Sequence, residues 1–255
     1  MNPAPSQTPI LLDQHAMLVG INGSGKSTRM EMEALWRIER MRPYSPQVYK
    51  FIIVDTKPIS YGQNDDLGHY SHMGGVIYRD WRDIDLAKEQ SRLIIYRPNA
   101  EFINPTEFGL FFDHVLSFRY KTSQGNITPL PLTVAIDELI DIVTSETQRK
   151  VYIEGFTKML TQGRSALQTL WILTQYPVFI DASIKRNARV NFVFRLPDKN
   201  DREVMAGILG SDEVKKPIRT RHGFFYSSDA IESTLTNPWF FDGKPTSNVR
   251  RIGIA

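Results

Sequence analysis

The most specific chemistry in the chain lies in eight consecutive residues, Gly20-Ile21-Asn22-Gly23-Ser24-Gly25-Lys26-Ser27. Their spacing fits G-x-x-x-x-G-K-[ST], a phosphate-binding loop. Glycines let such a loop curl until successive backbone N–H groups converge on phosphate oxygens. A helix beginning at the lysine adds the positive end of its dipole. In this arrangement Gly20, Asn22, Gly23, Ser24, Gly25, Lys26, Ser27 and Thr28 surround a nucleoside triphosphate. Lys26 reaches the β- and γ-phosphates, and the Ser27 hydroxyl ligates Mg²⁺. The bare pattern arises by chance in roughly one chain in a hundred of this length, given ordinary glycine usage. Its flanks argue against coincidence: the apolar run Ala16-Met17-Leu18-Val19 precedes it. After it, Met30, Ala34, Leu35 and Ile38 recur at helical spacing between Lys26 and Met41. The pattern predicts ATP and Mg²⁺ as ligands.

Two carboxylates and a glutamine complete the candidate chemistry. Asp137 and Glu138 follow the apolar run Leu132-Thr133-Val134-Ala135-Ile136. In open α/β sheets the carboxyl ends of strands hold the ligand-binding groups. An acid there shares the Mg²⁺ shell with Ser27, which is the role read for Asp137. Glu138 is placed to orient and polarise a water for in-line attack on the γ-phosphate, which favours hydrolysis over transfer to a second substrate. Gln175 ends the next core strand, Leu170 to Thr174, and is read as a sensor of the γ-phosphate.

Alternating strand-like and helix-like segments must position these groups. Strands are expected at 51–54, 76–78, 93–96, 132–136, 170–173 and 190–196. Helices are expected at 84–90, 106–120, 147–161 and 201–209, the last two stopped by Gly163 and Gly210. The strands are short and apolar on both faces, which predicts an α/β fold: a P-loop NTPase with a mostly parallel sheet and helices on both faces. The reading divides the chain into an extended arm (1–15), an ATPase domain (16–218) and a hairpin or arm (219–255) packed on the domain or a neighbouring subunit.

Composition sets bounds on the class. The chain has 255 residues, 41% hydrophobic and 23% charged, as in an ordinary globular protein. It has no cysteine, which excludes disulfides and thiolate metal sites. No apolar run is long enough to span a bilayer, and the proline-bearing N-terminus lacks the pattern of a secretory signal. The formal charge of +3 permits nucleic-acid binding without requiring it. Basic residues cluster at 185–195, at Lys215, Lys216, Arg219 and Arg221, and at Arg250-Arg251. Each cluster is either a solvated face or a phosphate-contacting surface. His69 and His72 lie three apart without an evident third ligand, and an ordinary surface loop accounts for them. Trp36, Trp81, Trp171 and Trp239 are too scattered for a base-stacking platform and are assigned to packing.

The order of motifs resembles the FtsK/HerA superfamily of ring-forming DNA pumps. The phosphate loop, Val54-Asp55-Thr56-Lys57 after the second strand, Asp137-Glu138, Gly163-Arg164 and Leu173-Thr174-Gln175 follow one another as in that family. The likeness extends from about Leu18 to Gly210, with Thr56 where the family usually has proline. It implies a hexameric ring that moves double-stranded DNA, each ATP site being completed by an arginine from the neighbour. Arg164, Arg189 and Arg195 are the candidates, and a surface ion pair or a DNA-phosphate contact accounts equally well for each. A bare motor domain resembles the genome-packaging ATPases of tailless, internal-membrane DNA viruses. That implies a capsid vertex or membrane proteins as partners, and the host cytoplasm or virion as the place of action. A cellular translocase or helicase subunit is the alternative within the family, and a nucleotide-switched assembly protein the alternative outside it.

Overall fold

The computed structural model describes residues 14–56, 68–139, 154–218, 224–228, 231–236 and 250–251. Its frame is a ten-stranded sheet. The strands are β1 (Ala16–Val19), β2 (Lys50–Asp55), β3 (Val76–Tyr78), β4 (Leu93–Tyr96), β7 (Leu132–Asp137), β8 (Gln168–Thr174), β9 (Val190–Val193), β10 (Phe224–Ser228), β11 (Ile231–Thr236) and β12 (Arg250–Arg251). Their order is β12-β11-β10-β9-β1-β8-β7-β2-β4-β3. From β9 to β3 all pairings are parallel, whereas β10, β11 and β12 add on antiparallel beyond β9. The expected mostly parallel α/β sheet is therefore the observed one.

Continuous apolar strands are what a sheet covered on both faces needs. Along β2, Phe51 and Ile53 point into one core with Met30 and Ala34 of helix α1 (Lys26–Met41). Ile52 and Val54 point into the other. That second core takes Phe108, Phe111 and Phe112 of α2 (Pro105–Ser117) and Phe156 and Met159 of α3 (Glu154–Gln162). Met17 and Val19 of β1 meet Met205 and Ala206 of α5 (Lys199–Leu209), with Phe225 beside them. A short helix, α4 (Ala182–Asn187), precedes β9.

Local sequence explains most boundaries. Asn104 caps α2 through the Glu107 N–H, and Asp198 caps α5 through the N–H groups of Asn200 and Asp201. Gly210, at φ 62°, ends α5 in the left-handed conformation that glycine tolerates. At Gly163, which follows α3, an added Cβ would lie 2.3 Å from the Gln168 carbonyl oxygen. Only glycine lets that turn approach β8.

Two expected helices are corrected. Residues 84–90 form turns, because the Asp85 carboxylate takes the N–H groups of Ala87 and Lys88 while Ile84 and Leu86 are both buried. Asx turns of this kind compete with helix formation. The helix expected over 106–120 ends at Ser117. Arg119–Lys121 (β5) then pairs antiparallel with Ile127–Pro129 (β6) in a small separate hairpin. Likewise β9 stops at Val193, short of the expected Leu196. The N-terminal arm up to residue 13, the first part of the helix expected at 147–161, Arg219, Arg221 and Trp239 lie outside the described residues.

Packing is the role of three of the tryptophans. Trp171 is buried beneath the Arg37 guanidinium, 4.4 Å from its ring centroid, Trp81 donates to Glu107 at 2.8 Å, and Trp36 carries Arg40. No helix among the described residues is long and apolar enough to cross a membrane.

Candidate active site

Parallel register brings the reactive positions to one edge of the sheet. Val19 pairs with Thr174, Asp137 with Leu173, and Asp55 with Asp137. The loop after β1 therefore faces the ends of β7 and β8. Between them lies a cleft of about 260 Å³. Its wall runs from Ile21 to Thr28 and continues through His69, Asp137 and Glu138.

The glycine loop has the curled path that phosphate binding requires. Gly23 and Gly25 adopt φ 70° and 107°, in the left-handed region. A Cβ on Gly20 would meet Phe194 Cβ at 2.7 Å and Ser24 Oγ at 2.8 Å. The Gly20 N–H is tied to the Thr174 carbonyl, and the Ile21 N–H to that of Arg195, both at 3.1 Å. These bonds fasten the loop to its flanking strands. Lys26 is buried, and its ammonium donates to the carbonyls of Gly20 and, at 3.1 Å, Ile21. Asn22 and Thr28 are exposed at the mouth, and Ser27 is half-buried.

Asp137 is 1% exposed. Its carboxylate accepts from the phenol of Tyr70, and its carbonyl accepts from the Thr56 hydroxyl. The Ser27 hydroxyl bonds the same phenol. A hydroxyl and a carboxylate joined in this way are hard oxygen donors, the set that suits Mg²⁺ with the rest of its shell filled by water and phosphate oxygens. Ser27 and Asp137 are thus the residues that would hold the ion.

Glu138 adopts φ 66°, a left-handed conformation that costs a non-glycine residue about 1–2 kcal/mol. Its Oε1 accepts from the Thr174 hydroxyl and from the Gln175 N–H, each at 3.1 Å. The Gln175 side chain bonds the same carboxylate. Burial pushes the Glu138 pKa above the usual carboxylate value, against these hydrogen bonds and the nearby Lys26 charge. The end of β8 therefore grips the end of β7 through this one side chain.

The three arginines are not brought together. Arg195 follows β9 on the edge of the glycine loop and is exposed. Arg164 and Arg189 lie at the opposite edge of the sheet, before β8 and β9 begin. There the Arg189 N–H bonds the His15 carbonyl at 3.1 Å. Burial above all, and then the Arg164 charge, lowers the His15 pKa to about 4. Neither Arg164 nor Arg189 can reach the cleft of its own chain. Of the basic clusters, Lys215 and Lys216 are paired with Asp212 and Glu213 at 2.6 and 2.8 Å, which tempers that patch.

Several site residues are not apparent in sequence. Tyr70 and His69 stand in a polar, glycine-rich stretch read as a surface loop, with no periodicity to mark a buried tyrosine. His72 pairs with Glu31 of α1 at 3.2 Å. Asp55 is legible as a strand-end acid, but its partner Arg97, at 2.9 Å and buried with it, is not. Thr56 departs from the proline usual in the resembled family, and its hydroxyl makes a bond to Asp137 that proline could not.

No family model matches the chain. Among curated proteins it is 23% identical over 267 aligned positions to the DNA translocase FtsK of Bradyrhizobium diazoefficiens, covering 89% of this chain and 32% of the relative. It is 24% identical to the FtsK of Agrobacterium fabrum, covering 89% and 29%. The chain thus spans about a third of the length of these relatives. Among solved structures, the genome-packaging NTPase B204 of Sulfolobus turreted icosahedral virus 2, in complex with AMPPCP, superposes with a TM-score of 0.66 at 16% identity. The match covers 90% of this chain and all of that one. The pCW3 conjugation coupling protein TcpA superposes with a TM-score of 0.53 at 18% identity, covering 88% and 59%. Motif order, sequence similarity and fold agree: the chain is similar to P-loop ATPases of the FtsK/HerA type.

Proposed function

We propose that the chain hydrolyses ATP to move double-stranded DNA, and that its task is to drive a viral genome into a preformed capsid. The observation that carries the hydrolytic part is the grip of Thr174 and Gln175 on Glu138, beside Asp137 and across the cleft from Lys26. A carboxylate so fixed at the edge of a phosphate-binding cleft is placed to orient an attacking water and accept its proton. Lys26 neutralises charge on the β- and γ-phosphates, and loop N–H groups bind the remaining oxygens. Ser27 and Asp137 would hold Mg²⁺, which would neutralise phosphate charge when bound. Gln175 touches Glu138 and so links the state of the reacting end to β8 and the turn beyond it.

Three considerations support translocation. The curated relatives are named as DNA translocases, the fold matches a packaging NTPase over the whole of that chain, and exposed basic residues such as Arg186 and Arg189 offer sequence-independent phosphate contacts. The packaging NTPase superposes with a TM-score of 0.66 against 0.53 for TcpA, which supports packaging as the first reading. A cellular or conjugative translocase is the second reading, favoured by TcpA. A ring of identical subunits, hexameric by family resemblance, gives Arg164 or Arg189 a route to a neighbour's site that neither has to its own. Capsid-vertex or membrane proteins are the expected docking partners, and the host cytoplasm and virion the expected locations.

The test is ATP turnover by the purified chain with and without long duplex DNA, across protein concentration, beside Glu138→Gln. DNA stimulation that rises steeply with concentration and vanishes in the variant supports the motor. Turnover indifferent to both DNA and concentration rejects it in favour of a nucleotide switch. Absence from purified particles and packaging intermediates rejects the viral task alone.

A further inference from the structure

The turn from Gly68 to Met73 is fastened to the site at three places, and none of the motifs accounts for it. At its start, Asp55 Oδ2 accepts both the His69 N–H at 3.0 Å and Arg97 Nη1 at 2.9 Å. Gly68 sits against that pair at φ 80°, where a Cβ would lie 2.5 Å from Arg97 Nη1 and 2.7 Å from Asp55 Oδ2. At its far end His72 pairs with Glu31. Between them Tyr70 is fully buried, with its ring edge-on to His69 at 4.8 Å between centroids. The buried tyrosine hydroxyl touches both Ser27 and Asp137.

Proton counting fixes the direction of these bonds. The phenol has one proton, and a carboxylate can only accept, so Tyr70 donates to Asp137 Oδ2. The Ser27 hydroxyl must then donate to the phenol oxygen. Its own lone pairs are left directed away from Tyr70, toward the cleft. A ligand hydroxyl whose proton is engaged behind it is oriented to coordinate a cation in front.

We propose that Tyr70 is a positioning residue for Mg²⁺, aiming the Ser27 lone pairs and fixing the Asp137 carboxylate through a single phenol anchored by the Asp55–Arg97 pair. This rests on the nucleotide-binding reading of the same cleft. Tyr70 does not touch the reacting atoms. It acts through the two ligands, in the way outer-shell partners govern metal sites generally, where their loss costs about 10–100-fold in metal affinity.

The experiment measures binding of a non-hydrolysable ATP analogue to the full chain, with Mg²⁺ and with a chelator, for wild type and Tyr70→Phe. Phe keeps the ring and removes only the hydroxyl. Affinity without metal should stay within about twofold of wild type, which also reports an intact cleft. The gain in affinity that Mg²⁺ confers should fall by about tenfold or more. A full Mg²⁺ gain in the variant overturns the assignment of Tyr70 and leaves the nucleotide site standing. Failure of the wild type itself to bind the analogue overturns both. If Tyr70→Phe does not fold, 3-fluorotyrosine at position 70 supplies the same decision. Its fluorine resonance should shift when Mg²⁺ joins the bound analogue, and an unmoved resonance rejects the role.

Discussion

The Gln175 N–H donates to Glu138 Oε1 at 3.1 Å across two neighbouring strand ends. The Thr174 hydroxyl adds a second bond to the same oxygen. Together they hold Glu138 in a left-handed backbone conformation that its residue type does not favour. Strain of this kind persists only where the surroundings over-determine it, and here they aim one carboxylate at the cleft.

Glu138→Gln keeps the shape and most of the hydrogen bonding of that side chain and removes its ability to take a proton. Turnover should fall by about 10²–10⁴ while affinity for ATP is preserved or increased. Single-turnover hydrolysis beside equilibrium nucleotide binding checks both halves. An equal loss of binding would mean that Glu138 is structural.

Lys26 is buried by its stem and held by two loop carbonyls, with its charge facing the cleft. Lys26→Ala should abolish measurable nucleotide binding and leave the thermal unfolding of the nucleotide-free chain within a few degrees of wild type. Those carbonyls belong to a loop already fixed by the bonds of Gly20 and Ile21 to neighbouring strands.

The loop after β1, the Asp137-Glu138 pair and the end of β8 were all legible in the sequence, because each rests on a short local pattern: glycines at fixed spacing, or an apolar run ending in a polar residue. The mostly parallel sheet and the buried helical faces followed from periodicity. The Tyr70 turn was not legible, since its place depends on Asp55 and Arg97, which are brought together by parallel pairing of β2 with β4 and not by neighbourhood in the chain. The helix expected at 84–90 failed for the opposite reason. There a local Asx turn overrode a plausible apolar spacing.

Breaking the Asp55–Arg97 pair should be costly. Arg97→Met takes the guanidinium away from the buried Asp55 carboxylate and should destabilise the chain by about 3–5 kcal/mol. Adding Asp55→Leu to Arg97→Met should restore much of that stability without restoring the turn. Urea unfolding of the two variants, read beside their Mg²⁺-dependent nucleotide affinity, separates the two effects.

His15 gives a pH dependence with a definite sign. It is 1% exposed, its Nδ1 accepts the Leu170 N–H at 2.9 Å, and its pKa is lowered to about 4 from 6.5. The unfolded chain therefore binds a proton that the folded chain rejects. Stability from this group is complete above about pH 6.5 and is lost as pH falls toward 4, by about 3 kcal/mol in all. His15→Gln should be less stable than wild type near neutral pH, and its deficit should shrink through that window. A deficit that stays constant down to about pH 4 would show that the imidazole titrates normally.

The separation of the arginines allows a decision by mixing. Arg164 and Arg189 stand at the far edge of the sheet from their own cleft, whereas Arg195 stands beside it. An arginine that stabilises transition-state charge from a neighbour is worth about 10³–10⁵ in rate, so the responsible alanine variant should be nearly inactive alone. Glu138→Gln chains are also inactive but still carry every arginine. If Arg164 acts in trans, equal mixing of Arg164→Ala with Glu138→Gln should recover activity at about a quarter of the sites, where an intact Glu138 meets a neighbour's intact arginine. The same holds for Arg189. Arg195→Ala mixed with Glu138→Gln should recover nothing if Arg195 serves its own cleft, since no single chain then carries both groups. Recovery with Arg195→Ala alone would place the neighbour's contribution on the loop edge and confine Arg164 and Arg189 to packing or DNA contact.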